Sequence, residues 1–292
     1  MNSTRKLWAG LVVLLIASFA VLLWVGSEIH RQAPPMPEQV VTTDGRVVYT
    51  RKDIETGRQV WQSIGGQQLG SIWGHGGYVA PDWGADWLHR EAEAILDLWA
   101  AREHGVDSYK ALDAPTQAAY ATRVQALIRP NTWDAATGTI TIDADRAAAM
   151  EKVAAHYVDL FGNDPATAEL REAYAMRNNT VPDAEHRRLM TGFFWWAAWS
   201  SITERPGQTI TYTANWPHDE LVGNTPPSNL LIWSVFSVLF LIAGIGLLGW
   251  HYAVIHGDEM VPVLPKRDPL ADIKVTPSMR ATAKYFWVVM AL

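Results

Sequence analysis

The sequence contains no cysteine among its 292 residues. This absence excludes disulfides, thiolate zinc sites and iron–sulfur clusters, and it excludes the covalent attachment of a c-type haem, which needs a Cys-x-x-Cys-His run. Basic residues are also few, with 24 Lys and Arg against 30 Asp and Glu, so the net charge of −6 argues against a general nucleic-acid partner. Hydrophobic residues make up 49% of the chain, which rules out disorder as its general state.

Tryptophan and long uncharged runs are present in excess. The 15 tryptophans are typical of membrane interfaces or of a heavily aromatic core. Residues 7–26 and 229–255 contain no Asp, Glu, Lys or Arg, and each run is long enough as a helix to cross about 30 Å of hydrocarbon. We predict a membrane-spanning helix at each. A cleaved signal peptide is the alternative for the first run, but its apolar region would be only about 7–15 residues long.

The basic residues near these runs predict the orientation of the chain. They are concentrated in residues 1–6 and 256–284, so the positive-inside rule predicts that both segments are cytoplasmic and that residues 27–228 are outside, in the periplasm of a bacterium. Residues 285–292 are apolar and resemble the start of a third span, too short by itself to cross a bilayer. We therefore expect a multi-pass protein of the bacterial inner membrane whose sequence continues beyond Leu292.

The outer segment is predicted to be mainly α-helical with small β elements. Asp44-Gly45 lies between two β-rich runs and predicts a hairpin of residues 39–43 and 46–50. Apolar spacing and cap residues predict several helices. One is capped by Asp86 and ends at Gly105, and the next starts at Asp113. A further helix covers residues 143–161, and another begins near Pro182. Short extended pieces are expected at 139–143 and 208–213.

One of these helices carries the aromatic run 193–199. It is apolar on all sides, so it must be buried in protein or contact lipid. We interpret it as core, with membrane docking or contact with a quinone as the alternatives.

A second unusual segment has six glycines between residues 65 and 77. Such a loop lets backbone carbonyls approach a partner closely, and a hard cation such as calcium is one partner that carbonyl oxygens suit. A plain structural turn is the alternative. Nine histidines are present, but none forms a His-Glu-x-x-His pair, and His251 and His256 are interpreted as interfacial polar residues in preference to haem or metal ligands. The chain offers no catalytic constellation.

Three segments carry a resemblance to a known family. They are residues 73–93 (WGHGGYVAPDWGADWLHREAE), 189–201 (LMTGFFWWAAWSS) and 209–234 (TITYTANWPHDELVGNTPPSNLLIWS). In these segments, and in the order anchor, outer domain and second span, the chain resembles the N-terminal part of the quinol-dependent, single-chain nitric oxide reductases of denitrification, which belong to the haem–copper oxidase superfamily.

The resemblance implies two transmembrane helices flanking a mainly α extracytoplasmic domain similar to a haem-free cytochrome c fold. It implies that the whole enzyme converts two NO, two electrons and two protons into N2O and water, with haem b, haem b3 and a non-haem iron in a downstream transmembrane bundle. Membrane lipid, that bundle and membrane quinol would be the partners. This segment would hold no catalytic or redox ligand and would be inactive alone.

The resemblance also implies one metal site. Cytochrome-dependent relatives use a Gly-x-Tyr in this loop to hold calcium, and the matching residues here are Gly76 and Tyr78. A different class of function is a non-enzymatic membrane sensor, which shares the layout of anchor, outer domain and span. A sensor would continue into a soluble helical linker, whereas the segment after Ile255 is interrupted by prolines.

Overall fold

The computed structural model describes residues 3–256 and 276–291, and the chain forms two compact units, Met1–Ser228 and Asn229–Leu292. Its helices are α1 (Ser3–Arg31), α2 (Arg51–Ser63), α3 (Gly66–Leu69), α4 (Trp83–His104), α5 (Ala114–Ile128), α6 (Ala144–Leu160), α7 (Ala168–Ala173), α8 (Ala184–Ile202), α9 (Ser228–His256) and α10 (Pro277–Ala291). Its strands are β1 (Gln39–Thr42), β2 (Val47–Thr50), β3 (Ser71–Ile72), β4 (His75–Gly76), β5 (Trp133–Asp134) and β6 (Thr139–Ile142).

Helices α1 and α9 are both long and apolar enough to cross a membrane. They contain the predicted spans 7–26 and 229–255 and extend a little beyond them. Their apolar side chains lie exposed, and no other part of the described chain buries them. Two such helices indicate a membrane protein.

The predicted hairpin is confirmed. β1 and β2 pair antiparallel around Gly45, whose φ of 87° lies in the left-handed region that the turn requires. β1 also pairs in parallel with β6, the strand expected at 139–143, and β6 pairs with β5. The sheet order is therefore β2-β1-β6-β5.

The core of the first unit lies among α2, α4, α6 and α8. All the residues of α8 from Met190 onward are buried, so the interpretation of the aromatic run as core is confirmed. Gly57 of α2 lies directly against α8, because a Cβ added to it would be 2.1 Å from the carbonyl oxygen of Leu189. The two helix backbones can approach this closely only because Gly57 has no side chain.

The prediction of Asp86 as a helix cap is wrong. The N-cap of α4 is Asp82, whose side chain accepts hydrogen bonds from the amides of Gly84 and Ala85. Asp86 lies inside the first turn, where its carboxylate pairs with Arg90. The predicted end at Gly105 and the predicted caps Asp113 and Asp143 agree with the structure.

Three further differences concern elements that the sequence pattern misplaces or does not predict. The sequence pattern does not predict helix α2, although Thr50 and Asp53 form a reciprocal capping box at its start. Residues 208–213 form bends and a turn, with a single bridge between Glu204 and Thr211, in place of the predicted extended piece. Helix α10 begins at Pro277, within the predicted loop 256–284 and before the predicted span at 285–292, and residues 257–275 of that loop lie outside the described residues.

Candidate functional site

The glycine-rich segment, residues 65–83, folds into the short helix α3 and a two-strand ribbon of β3 and β4. Gly76 is the tightest point of this ribbon. Its φ is 146°, and a Cβ there would be 2.3 Å from the carbonyl oxygen of Gly70. The position therefore accepts no other residue without displacement of the backbone.

Asp82 holds the glycine-rich segment to helix α4. One of its carboxylate oxygens accepts hydrogen bonds from the Ser71 hydroxyl at 2.8 Å and from the Gly74 amide at 2.7 Å. The other oxygen accepts from the amides of Gly84 and Ala85, both at 3.0 Å. A single carboxylate thus caps the positive end of α4 and fixes the ribbon that carries Gly76.

The two residues predicted to hold calcium lie at the surface of this ribbon. Gly76 is exposed, and the Tyr78 side chain is 88% exposed. Asp82 is the only carboxylate in residues 65–83, and both its oxygens already accept hydrogen bonds. No group of three metal-binding side chains occurs in the described part of the chain. Because calcium takes about six to eight oxygen ligands, the described residues do not form a complete calcium site by themselves.

The glycine-rich segment is also joined to the end of α1 through two tryptophans. The Trp73 ring packs against Trp196 at 5.4 Å, and its indole N–H donates to the carbonyl of Ala197 at 2.9 Å. The indole N–H of Trp196 donates to the carbonyl of Pro35 at 3.0 Å. The ribbon, α8 and the chain leaving α1 therefore form one continuous structure.

Behind the ribbon, the interior is filled with aromatic rings. Trp83 stacks on Phe194 at 5.7 Å and meets Phe161 edge-on at 5.2 Å. Trp87 stacks on Tyr157 at 5.4 Å, with the ring planes only 6° apart. The largest fully buried side chains include five tryptophans, Trp83, Trp87, Trp99, Trp195 and Trp199. The core volume is therefore occupied by the chain's own side chains.

A buried ion pair joins α4 to α6 in this core. The Arg146 guanidinium donates to the Glu91 carboxylate at 2.6 Å, with side chains only 5% and 1% exposed. The indole N–H of Trp87 donates to the second oxygen of Glu91 at 2.7 Å. Both carboxylate oxygens are thus satisfied, which is what allows a charge to remain in an apolar core.

A second polar cluster surrounds the hydroxyl of the buried Tyr157. Its hydroxyl donates to Asp86 at 2.6 Å, and burial together with that carboxylate raises the pKa of Tyr157 well above 10. Nearby, burial and the Arg90 charge lower the pKa of His156 below its ordinary 6.5. Arg90 and His156 line an open cavity of about 260 Å³ that also contains Glu93, Asp97 and Lys152. The mixed charges of this cavity favour no single class of ligand.

The described side chains of the first unit, Met1–Ser228, are not arranged to hold a haem. The chain has no cysteine for covalent attachment. All nine histidines are described, and each is exposed or half-buried, so none is placed in the aromatic core as an axial ligand. His251 and His256 lie in α9, where the His256 ring stacks on Tyr252.

Sequence reasoning missed the polar residues that organise the site. Asp82 could have been found from its position directly before Trp-Gly-Ala, a helix-start pattern. Glu91 and Arg146 could not, because residues 55 positions apart in sequence give no local signal of contact.

The comparisons with known proteins identify the family. A comparison with curated proteins finds no match. Residues 37–218, more than half of the chain, match the family model of the cytochrome c-like domain of the nitric oxide reductase NorB. The matched range contains the hairpin, the glycine-rich segment and the aromatic helix α8, and the last two are among the features on which the sequence resemblance rested. The chain therefore belongs to the NorB family of nitric oxide reductases, an oxidoreductase family, through its cytochrome c-like domain.

Proposed function

We propose that this chain is the membrane-anchored, haem-free front part of a quinol-dependent nitric oxide reductase. The observation that carries the proposal is the combination of a cytochrome c-like family match over residues 37–218 with the complete absence of cysteine. A domain of this family that cannot attach a c-type haem cannot pass electrons from a soluble cytochrome. Electrons would instead reach the enzyme from quinol dissolved in the membrane.

The chain's own residues would act as anchor and support. Helix α1 fixes the domain to the bilayer, and the proposed topology places residues 27–228 on the periplasmic side of the bacterial inner membrane. The aromatic core and the Glu91–Arg146 pair make a rigid body. Asp82 then holds the ribbon of Gly76 and Tyr78 at a fixed position on its surface.

The redox chemistry would be supplied elsewhere in the enzyme. The haem b, haem b3 and non-haem iron expected in a downstream bundle supply the reduction of NO to N2O when they are bound. We propose no redox ligand in this chain. Membership of a reductase family favours this function over the membrane sensor that the layout also allowed.

The function is tested with the whole protein that contains this chain, in membranes, and with the chain alone. We expect NO consumption with a reduced quinol and none above background with a reduced soluble cytochrome c. The purified 292-residue chain should show no Soret absorption and no NO turnover. Cytochrome-driven turnover, or a Soret band that survives detergent washing of the chain, would contradict the proposal.

Calcium remains a proposal that depends on ligands outside the described residues. Gly76 and Tyr78 would supply oxygen atoms from one side, and groups from the rest of the enzyme would complete the shell. Metal analysis of the whole protein should find calcium that the Gly76→Ala variant lacks, because a Cβ at Gly76 displaces the backbone. Equal calcium content in both proteins would show that Gly76 is not part of a calcium site.

A further inference from the structure

Arg205 is a cation without a carboxylate partner among residues 3–256 and 276–291. It lies in the turn after α8, where one guanidinium nitrogen donates to the carbonyl of Tyr212 at 2.9 Å and another donates to the side-chain oxygen of Gln32. Its Nε is buried and has no hydrogen-bond partner. Among the described residues, no Asp or Glu is within ion-pair distance of it. The neighbouring Arg129, by contrast, pairs with Glu204 at 2.7 Å.

Such a cation is costly unless an anion approaches it. Burial lowers the pKa of Arg205; Tyr212 opposes that effect, and no carboxylate in the described part of the chain does. A guanidinium keeps its charge in proteins, so the Arg205 charge must be stabilised by water or by an anionic ligand.

The position of Arg205 relative to α1 limits which anions it can meet. Its partner Gln32 directly follows the last residue of α1, Arg31. If α1 crosses the bilayer as proposed above, the uncharged run ending at Gly26 occupies the hydrocarbon, and Gln32 lies about 9 Å further along the helix axis. That depth is at the outer edge of the headgroup layer. Lipid phosphates are the abundant anions there.

The space beside Arg205 is open. A cavity of about 530 Å³ is lined by Arg205, Gly207, Gln208 and Thr209. Gly207 has nothing within 4 Å of an added Cβ, so the turn faces free space. Glu204 also lines the cavity, but its carboxylate is neutralised by Arg129.

The other charges near this position compensate each other. Glu28 accepts a hydrogen bond from Gln32 at 3.0 Å, but it is already paired with Arg31 at 2.6 Å. Trp216, in the loop that follows Tyr212, is 48% exposed, as expected for an indole at a membrane interface. The surroundings of Arg205 therefore carry no excess negative charge that would repel a phosphate.

We propose that Arg205 binds the phosphate of a lipid headgroup in the cavity beside the end of α1. A guanidinium matches two phosphate oxygens with two parallel N–H donors, and the Thr209 hydroxyl lines the same space. The bound lipid would hold the domain at a fixed height on the membrane. The proposal rests on α1 being inserted in the bilayer.

The test measures lipid retention on the whole chain purified in detergent, with phosphatidylglycerol as the probe and native mass spectrometry as the readout. Arg205→Gln should lose about ten-fold in retained lipid, the effect of removing a charged hydrogen-bond donor. Arg187→Gln is the matched control, because Arg187 also donates to backbone carbonyls and has no carboxylate partner among the described residues. Equal retention by Arg205→Gln and the wild-type chain would overturn the proposal.

A second variant keeps the test decisive if Arg205→Gln does not fold. Thr209 is exposed, so Thr209→Glu should leave the fold intact while its carboxylate repels a phosphate. Its lipid retention should also fall; unchanged retention would count against the site.

Two further experiments distinguish a lipid phosphate from a free phosphate and test the insertion of α1. Inorganic phosphate should not displace the phosphatidylglycerol; if it competes equally well, the site is for a free anion and the lipid assignment is wrong. The insertion of α1 is tested independently of α9 with a single cysteine introduced as Ile16→Cys into the cysteine-free chain and a membrane-impermeant maleimide. Ready labelling of this cysteine in membranes would refute the proposed anchor, whereas a protected cysteine with unchanged lipid binding in Arg205→Gln would refute only the phosphate site.

Discussion

Helices α1 and α8 are both apolar, but they are surrounded by different media. In α8 every residue from Met190 to Ile202 is buried inside the first unit. In α1 apolar side chains such as Phe19, which is 61% exposed, face outward along the whole helix. The apolar residues of α1 are mostly aliphatic, whereas α8 carries three tryptophans and two phenylalanines. Hydrophobicity alone therefore does not distinguish a core helix from a candidate membrane span.

The difference lies in the partners that the sequence supplies elsewhere. The rings of α8 meet rings from other helices and strands, as Phe194 meets Trp83 at 5.7 Å and Trp195 meets Tyr49 at 6.0 Å. Its hydroxyl groups are also satisfied, since Thr191 shares a hydrogen bond with Tyr49 at 3.0 Å. Helix α1 meets no comparable set of side chains within the described residues, and lipid is the environment that would stabilise it.

Removal of one ring from each helix gives the largest expected contrast. Phe194→Ala should lower the free energy of unfolding of the domain by about 3–5 kcal/mol, because a cavity forms in a fully packed core. Phe19→Ala in α1 should change it by less than about 0.5 kcal/mol. Denaturant unfolding in detergent, followed by near-ultraviolet circular dichroism, measures both. Equal losses would mean that α1 is also part of the core.

Interruption of the buried ion pair tests whether the packing around α8 depends on it. Arg146→Leu should cost about 3 kcal/mol, because Glu91 is left buried without its partner. The double variant Glu91→Leu, Arg146→Leu should recover most of that loss. The same unfolding measurement serves, and a double variant no more stable than the single one would show that the cost lies in packing and not in charge.

A charge placed in the middle of α1 tests its medium directly. Ile16→Arg should disfavour membrane insertion by about 2.5–3.5 kcal/mol, the cost of an arginine at the centre of a span. Protection of a cysteine introduced as Phe19→Cys from a membrane-impermeant maleimide measures the insertion of α1 without interference from α9, and Ile16→Leu is the matched control. Unchanged protection in Ile16→Arg would show that lipid does not surround α1.

The smallest effect concerns pH and the contact between Tyr49 and α8. Burial raises the pKa of Tyr49 from 10 to about 12. A raised folded-state pKa gives stability that is complete below pH 10 and is lost as the pH rises through 12. At a pH of about 11 the loss from Tyr49 should be roughly 1.4 kcal/mol. Tyr49→Phe should remove that part of the alkaline loss, and an unchanged profile would show that Tyr49 ionises without affecting the fold.

Local signals in the sequence predict the local features well. The Asp44-Gly45 turn, the αL residue Gly105 and the caps Asp113 and Asp143 act over a few residues, and the structure has all of them. Features that depend on distant parts of the chain are missed. Helix α2 gives no clear signal because its helical pattern begins directly after a strand and its buried face is defined only by contact with α8.

The candidate site shows the same division. Gly76 and Tyr78 are located by their pattern, and the left-handed backbone at Gly76 explains why a glycine is needed there. The sequence indicates Asp82 at most as a helix cap, and its hydrogen bonds to Ser71 and Gly74 join segments that only the fold brings together. Arg205 gives no signal at all, because a missing partner is visible only in three dimensions.

The parallel pairing of β1 with β6 has a consequence for synthesis. Gln39 of β1 and Thr139 of β6, whose side chains are hydrogen-bonded, lie 100 residues apart in sequence. At about 5–20 residues per second, a ribosome needs roughly 5–20 s to make the intervening chain. During that interval the hairpin of β1 and β2 can form, but the edge of β1 that pairs with β6 stays open. A nascent chain stalled before Thr139 should therefore be a better chaperone substrate than the released chain.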